Sequence, residues 1–286
     1  MKRLLIPTDF SEISKNSIIY GFHLAEQLGL TVHLLHVLEL YKFAAGTSEA
    51  ELISTILPTD NIHEMQLASQ ESFNKLMNEL KPDIPSNVAY EIKVTPGHLI
   101  NEMIVESAIN TEILILAVAR TQDLITRFTN NTISSIIAEA SCPVMVIPSR
   151  YSFKSIGKVI LATDFNKADF QILDEFIKLY GKYQPDIEVI HISQKLNDFK
   201  TELKFAGFKQ MISEKINYPK ISFKLVHHKH VVQGIIETLK SDNADLLLML
   251  KEHEGFFKSL FEVSNAERIA HFLKIPMLSY HEPITK

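Results

Sequence analysis

Leu4–Ser11 reads LLIPTDFS, and Val159–Asn166 reads VILATDFN. Each is a short apolar run that stops on Thr-Asp-Phe, and the two begin 155 residues apart (4 to 159). A continuous apolar run of that length, closed by turn residues, is the pattern of a strand buried on both faces. Its recurrence predicts a duplicated unit. His36-Val37 and His191-Ile192 keep the spacing. Farther on, TEILILA (Thr111–Ala117) matches ADLLLML (Ala244–Leu250) at a spacing of 133 (111 to 244), and SCPVMVIP (Ser141–Pro148) matches KIPMLSYH (Lys274–His281) at the same spacing. The second copy is therefore shorter by 22 residues (155 against 133), lost after its second strand, where the first copy carries Glu39–Asn61. We expect two domains, residues 1–150 and 151–286, each of ordinary domain size.

Within each unit strand and helix patterns alternate. In the first, strands are expected at Arg3–Pro7, Thr31–Leu38, Val88–Val94, Glu112–Val118 and Pro143–Ile147. Ser11 stands where a helix N-cap belongs, with Glu12 in the first turn, where its charge suits the helix dipole. Ile18, Phe22 and Ala25 follow at helical spacing, and further helices are expected over Ile62–Leu80, around Leu99–Ile104 and around Ile133–Ala140. In the second, strands are expected at Lys158–Ala162, Ile187–Ile192, Ile221–Val226, Leu246–Leu250 and Pro276–Tyr280, with helices from Asn166, over Phe199–Lys215, from about His230 and over Asn265–Leu273. This order predicts an α/β fold of two tandem, doubly wound parallel-sheet (Rossmann-like) domains. Ligands in such sheets bind at the carboxyl ends of the strands, where Asp9 and Asp164 lie.

Of 286 residues, 46% are hydrophobic and 22% charged, a globular composition. A net charge of -5 gives no electrostatic reason to expect nucleic acid or an anionic membrane as partner. The lone cysteine, Cys142, cannot form an internal disulfide, which suits a reducing cytoplasm. Leu4-Leu5-Ile6 is too short for a signal-peptide core, and no apolar run approaches about 18 residues. A soluble cytoplasmic protein is expected.

PTDFSEIS (Pro7–Ser14), LLHV (Leu34–Val37), TPGHLINEMI (Thr95–Ile104) and CPVMVIP (Cys142–Pro148) together resemble the universal stress protein family, over nearly the whole chain and more closely in the first half. The resemblance implies two domains packed as a pseudo-dimer, with their last strands paired edge to edge, an arrangement that protects those edges. It also implies one of two branches. One branch binds ATP through a glycine motif after the fourth strand: Gly, two residues, Gly, nine residues, Gly, then Ser or Thr. The other lacks it. The motif positions here are Ala117, Arg120, Asn130 and Asn131 in the first domain, and Leu250, His253, Val263 and Ser264 in the second. No glycine stands at any of them. Glycine loops bind phosphate by bringing bare backbone N–H groups close to its oxygens, before a helix N-terminus. Arg120 and His253 put bulk there, though either offers positive charge for a different anion site. Asn130 and Asn131 suit a left-handed turn and a cap for the fourth helix.

The candidate crevices are therefore Thr8, Asp9, His36, Val37, Ala117, Arg120, Asn130 and Asn131 in the first domain, and Thr163, Asp164, His191, Ile192, His253 and Ser264 in the second. Thr-Asp organises a turn into a capped helix. By resemblance, this acid and its neighbours contact the nucleoside in ATP-binding relatives, and an acid accepts hydrogen bonds from ribose hydroxyls. His36 and His191 repeat at the end of the second strand, as partly buried or crevice-lining groups. His227, His228 and His230 cluster at the end of a strand; zinc is conceivable there, solvated loop histidines being the plainer reading. Alternation sets His228 and His230 on one side if the strand continues. Cys142 has no histidine partner in sequence and is read as structural. Ser48–Leu57 has helical apolar spacing and is read as a lid or packing segment.

No paired acid and base at catalytic spacing and no strong metal motif stands in the sequence. The expected function is that of a non-enzymatic stress-response or regulatory protein that does not bind ATP through the glycine motif. Its partner would be a small metabolite or a protein, with a homodimer as a further assembly. The alternatives are an adenine-nucleotide sensor or weak nucleotide hydrolase holding ATP or AMP by an unorthodox phosphate contact, and an interaction protein whose pockets are filled by its own side chains.

Overall fold

The computed structural model describes residues 2–39, 59–118, 130–148, 151–196, 198–250 and 274–280. Among these, strands and helices alternate as the sequence pattern predicts. They fall into two compact units, one ending at Cys142 and the other beginning at Pro143.

The first unit holds β1 (Arg3–Pro7), α1 (Glu12–Leu28), β2 (Thr31–Leu38), α2 (Thr59–Leu80), β3 (Tyr90–Pro96), α3 (Leu99–Ser107), β4 (Thr111–Val118) and α4 (Asn130–Glu139). Its strands are parallel in the order β3-β2-β1-β4. The chain winds outward from β1 through β2 to β3, then returns to β1's other side, so the strand order reverses between β1 and β4. Leu4, Leu5 and Ile6 are fully buried because helices cover both faces of a parallel sheet. α1 starts where Ser11 caps it, the Ser11 side chain accepting from the Ser14 N–H. It stops at Gly29, which takes the left-handed conformation (φ 71°) that a side chain would resist. Gly21 lets α1 approach β1: a Cβ there would stand 2.3 Å from Ile6 Cδ1.

The second unit holds β5 (Val144–Pro148), β6 (Lys158–Ala162), α5 (Lys167–Tyr180), β7 (Asp186–Ser193), α6 (Phe199–Lys215), β8 (Ile221–His227), α7 (Val231–Ser241), β9 (Leu246–Leu250) and β10 (Met277–Tyr280). Its strand order is β5-β10-β9-β6-β7-β8, parallel except that β5 runs antiparallel to β10 with Met145 opposite Leu278. β5, the last strand of the first sequence copy, thus bonds to the last strand of the second, and neither leaves that edge open. α5 opens on a full capping box between Asn166 and Asp169. The lid segment read at Ser48–Leu57 and the helix expected over Asn265–Leu273 lie outside the described residues.

At the amino ends of its strands each unit carries charge. In the first, Glu106 is 2% exposed and receives Arg3 Nη2 at 2.7 Å and Lys93 Nζ at 2.5 Å. His33, 7% exposed, stands with Nε2 3.3 Å from Glu106 and Nδ1 3.7 Å from Glu91. Burial pushes Glu106 up, but the hydrogen bonds from Lys93 and Arg3 outweigh it and hold the carboxyl below its ordinary value. Burial, with Arg3 beside it, pushes His33 down. The second unit sets Lys158, Glu188, Lys224 and Asp242 at the same end, with Lys224 Nζ 2.7 Å from Asp242 and Lys158 Nζ 3.5 Å from Glu188.

The two shifts in the first unit act in one direction. Unfolded His33 takes a proton below about pH 6.5 that folded His33 refuses, and ionised Glu106 contributes stability that is lost as pH falls below about 4.3. Stability of the first unit is therefore expected to fall on acidification from about pH 6.5. Glu106→Gln is expected to cost about 2 kcal/mol at pH 7 and to flatten the acid limb below about pH 5, read by urea unfolding across pH.

Candidate ligand crevice

Thr8 and Thr163 stand just past the ends of β1 and β6, and both are buried. The Thr8 N–H donates to Leu35 O at 2.8 Å, and that of Thr163 to Ile190 O at 2.9 Å, extending each ladder by one bond. Their carbonyls turn to histidine: His36 Nδ1 donates to Thr8 O at 2.7 Å, His191 Nδ1 to Thr163 O at 2.8 Å. A carbonyl only accepts, so Nδ1 carries the proton and the neutral ring's lone pair lies on Nε2. Burial pushes His191 below its ordinary value, which keeps it neutral at pH 7.

The threonine hydroxyls bind forward. Thr8 Oγ1 accepts from the Phe10 N–H at 3.1 Å and meets Ser14 Oγ at 3.0 Å. Thr163 Oγ1 accepts from the Phe165 N–H at 2.9 Å and donates to Asp169 at 2.6 Å. Each phenylalanine is thereby held at positive φ, 63° for Phe10 and 74° for Phe165. That conformation costs a side chain about 1–2 kcal/mol, and the rings offset it by stacking. Phe10 lies 4.5 Å from His36 and 4.9 Å, edge-on, from Phe73. Phe165 stacks on His191 at 4.2 Å, with Phe208 and Phe205 about its edges at 5.9 and 6.1 Å. The two phenylalanines escape sequence reasoning, since a bulky residue is not expected at positive φ. The signal was present: Thr-Asp-Phe stands in both copies.

The acids spend an oxygen on the same turn. Asp9 Oδ1 accepts from the Ser11 N–H at 3.1 Å and its hydroxyl at 2.5 Å, and Asp164 Oδ1 accepts from the Asn166 N–H at 3.2 Å. Asp9 is half-buried and Asp164 exposed. Val37 and Ile192 are buried beside the histidines, in register with Thr95 and Val226. The structure thus gathers Thr8, Asp9, His36 and Val37 at one strand end, and Thr163, Asp164, His191 and Ile192 at the other. Ala117 lies in β4; its side chain, and Arg120, His253 and Ser264, lie outside the described residues. Asn130 and Asn131 take helical backbone as the first residues of α4, so neither occupies the cap position the sequence suggested.

The histidine cluster departs from its sequence reading. β8 ends at His227, so His228 and His230 do not continue its alternation. The chain turns instead, His228 Nδ1 donating to the His230 carbonyl at 2.6 Å, and α7 begins at Val231. α7 packs so close that a Cβ on Gly234 would stand 2.8 Å from His228 Cβ. Among the described residues no group of three His, Cys, Asp or Glu side chains is arranged to hold a metal. Cys142 is buried, and that burial pushes its thiol up to about 12, out of reach of thiolate chemistry at neutral pH. Among the described residues no helix is long and apolar enough to cross a membrane.

The family model described as the universal stress protein family matches residues 1–148. The fold is similar to the crystal structure of a universal stress protein from Archaeoglobus fulgidus DSM 4304, at 16% identity and a TM-score of 0.69, covering 99% of this chain and 97% of that one. It is also similar to a putative universal stress protein from Pseudomonas aeruginosa UCBPP-PA14, at 12% identity and a TM-score of 0.58, covering 98% of this chain and 93% of that one. A functionally unknown protein from Pseudomonas aeruginosa PAO1 matches at 11% identity and a TM-score of 0.58, covering 99% and 93%. No curated protein matches this chain.

Thr8→Val and Thr163→Val remove the hydroxyl that holds each turn. Thr8→Val is expected to cost about 1 kcal/mol, and Thr163→Val about 2–3 kcal/mol because it also strips a donor from the fully buried Asp169. Urea unfolding of the two variants checks the order.

Proposed function

The chain belongs to the universal stress protein family, and on that premise we propose that it is a cytoplasmic, non-enzymatic stress-response or regulatory protein of two repeats, 1–150 and 151–286, that does not take ATP through a glycine phosphate loop. The observation that carries this reading is the pair of strand ends. A nucleoside site at such an end needs an open stacking face and a bare backbone beyond it to meet the phosphates. Phe10 lays its own ring against His36 and Phe73, and Phe165 lays its ring on His191. In the sequence, the motif positions 117, 120, 130, 250, 253 and 263 all lack glycine. A glycine-free sequence of this kind lacks the bare backbone with which a glycine loop approaches phosphate. The proposed mode of action is recognition: a small metabolite or a protein partner binds one arrangement of the protein better than another and shifts the population toward it.

A second reading keeps the nucleotide. Neutral His191 presents an Nε2 acceptor, and Asp164 beside it is exposed. Those groups suit hydrogen-bond donors such as ribose hydroxyls or an exocyclic amine, and on this reading the protein is an adenine-nucleotide sensor or weak hydrolase with a different phosphate contact.

Mass spectrometry of small molecules released on denaturing the purified protein separates the two. No stoichiometric nucleotide is expected, and ATP at millimolar levels is expected to raise the melting temperature by less than about 1 °C. ATP, ADP or AMP near one per chain would sink the first reading and favour the second.

A further inference from the structure

The amino ends of β9 and β10 in the second unit carry a feature that the strand-end crevice does not use. A cavity of about 290 Å³ opens there, lined by Lys154, Ile236, Leu239, Lys240, Asn243, Ala244, Lys274 and Ile275. Three of the eight lining residues are lysines and none is acidic. Two acids flank lining residues in sequence, and both are engaged: Asp242 with Lys224 Nζ at 2.7 Å, and Asp245 with Lys154 Nζ, 2.5 Å from Oδ1, while its Oδ2 accepts from the Gly157 and Lys158 N–H groups at 2.9 and 2.8 Å. Lys154, the backbone donors and Asp245 therefore close a neutral set. Lys240 and Lys274 line the cavity with no acidic partner among the described residues.

The floor is apolar. Ile236, Leu239 and Ala244 are buried beneath it. Three carbonyls in the last turn of α7, where partial negative charge opposes an anion, accept hydrogen bonds from the chain itself. Thr238 O accepts from the Asp242 N–H at 3.0 Å, Leu239 O from the Ala244 N–H at 3.0 Å and Lys240 O from the Asn243 N–H at 3.3 Å. Asn243, held at positive φ (51°), ends the helix on the rim and adds an amide donor. A volume of 290 Å³ equals about ten waters and admits a body of about ten to fifteen non-hydrogen atoms.

We propose that this cavity binds a small phosphate monoester with an apolar body: the apolar part on Ile236, Leu239 and Ile275, the phosphate against Lys240 and Lys274. Two lysines match a group that carries a charge of about −1.5 to −2 at pH 7, and ammonium donors suit phosphate as point charges. The site lies at the opposite ends of the strands from His191 and Asp164, so it stands or falls apart from the strand-end crevice.

Calorimetry of the full chain with phenyl phosphate, benzoate and inorganic phosphate tests it, beside the variant Lys240→Gln/Lys274→Gln, whose changed side chains are exposed. Phenyl phosphate is expected to saturate with a Kd below about 1 mM, at least about tenfold tighter than benzoate or inorganic phosphate, and to weaken at least about tenfold in the variant and with added salt. Amide shifts in the NMR spectrum are expected at Asn243 and Ala244, not at Thr163. Failure to saturate below about 10 mM, equal affinity for benzoate or inorganic phosphate, or unchanged binding by a normally melting variant would each overturn the proposal.

Discussion

One hydrogen bond, made twice, sets the geometry of both candidate crevices: a histidine Nδ1–H at the end of the second strand of each unit donates to the carbonyl of the threonine that ends the first. It couples two neighbouring strands past the last ladder bond and fixes the imidazole tautomer. The threonine's hydroxyl then holds the next phenylalanine N–H, which turns that ring back onto the same histidine. The acid between them closes the turn into the helix. Three consecutive residues and a histidine from the neighbouring strand thus form one device. The repeat of Thr-Asp-Phe is the repeat of that device, and its structural work is independent of any ligand.

The same two units differ at their other ends. The first surrounds one buried carboxylate, Glu106, with Arg3, Lys93 and His33. The second places Lys158 and Glu188 at the positions that correspond to Arg3 and His33 (3 to 158, 33 to 188) and answers Lys224 with Asp242 from the turn after α7. A fold that needs charge balance there has met it with different residues. Burial holds Glu188 above its ordinary value, with Asp242 nearby adding to the effect, where Glu106 is held below. The two halves are therefore expected to answer acid differently, although their sheets are alike.

The sheet order was legible because continuous apolar strands and capped helices are local signals. Ser11 and Asn166 announce helix starts, and Phe199–Lys215 and Leu246–Leu250 fall where apolar spacing puts them. The antiparallel bond between β5 and β10 was foreseen only through the family resemblance, because strand partners far apart in sequence leave no periodicity of their own. Glu106 was not legible: a glutamate late in a short helix reads as a solvent-facing residue until Arg3 and Lys93, about 100 and 13 positions away, are folded against it. Phe10 and Phe165 were hidden by the rule that bulky residues avoid positive φ, which hydrogen bonding and ring stacking here outweigh. Asn130 and Asn131 were misplaced by the preference of asparagine for caps, a weak prior that the helix overrode.

At each strand end a phenylalanine ring packs on the histidine of the neighbouring strand, where a nucleobase would have to displace it. The most direct measurement is the NMR spectrum of the His36 and His191 rings as magnesium-ATP is added to millimolar levels. Both rings are expected to keep the Nδ1–H tautomer and to shift by no more than with an equal charge of inorganic phosphate. A saturable shift of either ring, specific to the nucleotide, would mean that Phe10 or Phe165 gives way to a base, and would contradict that expectation.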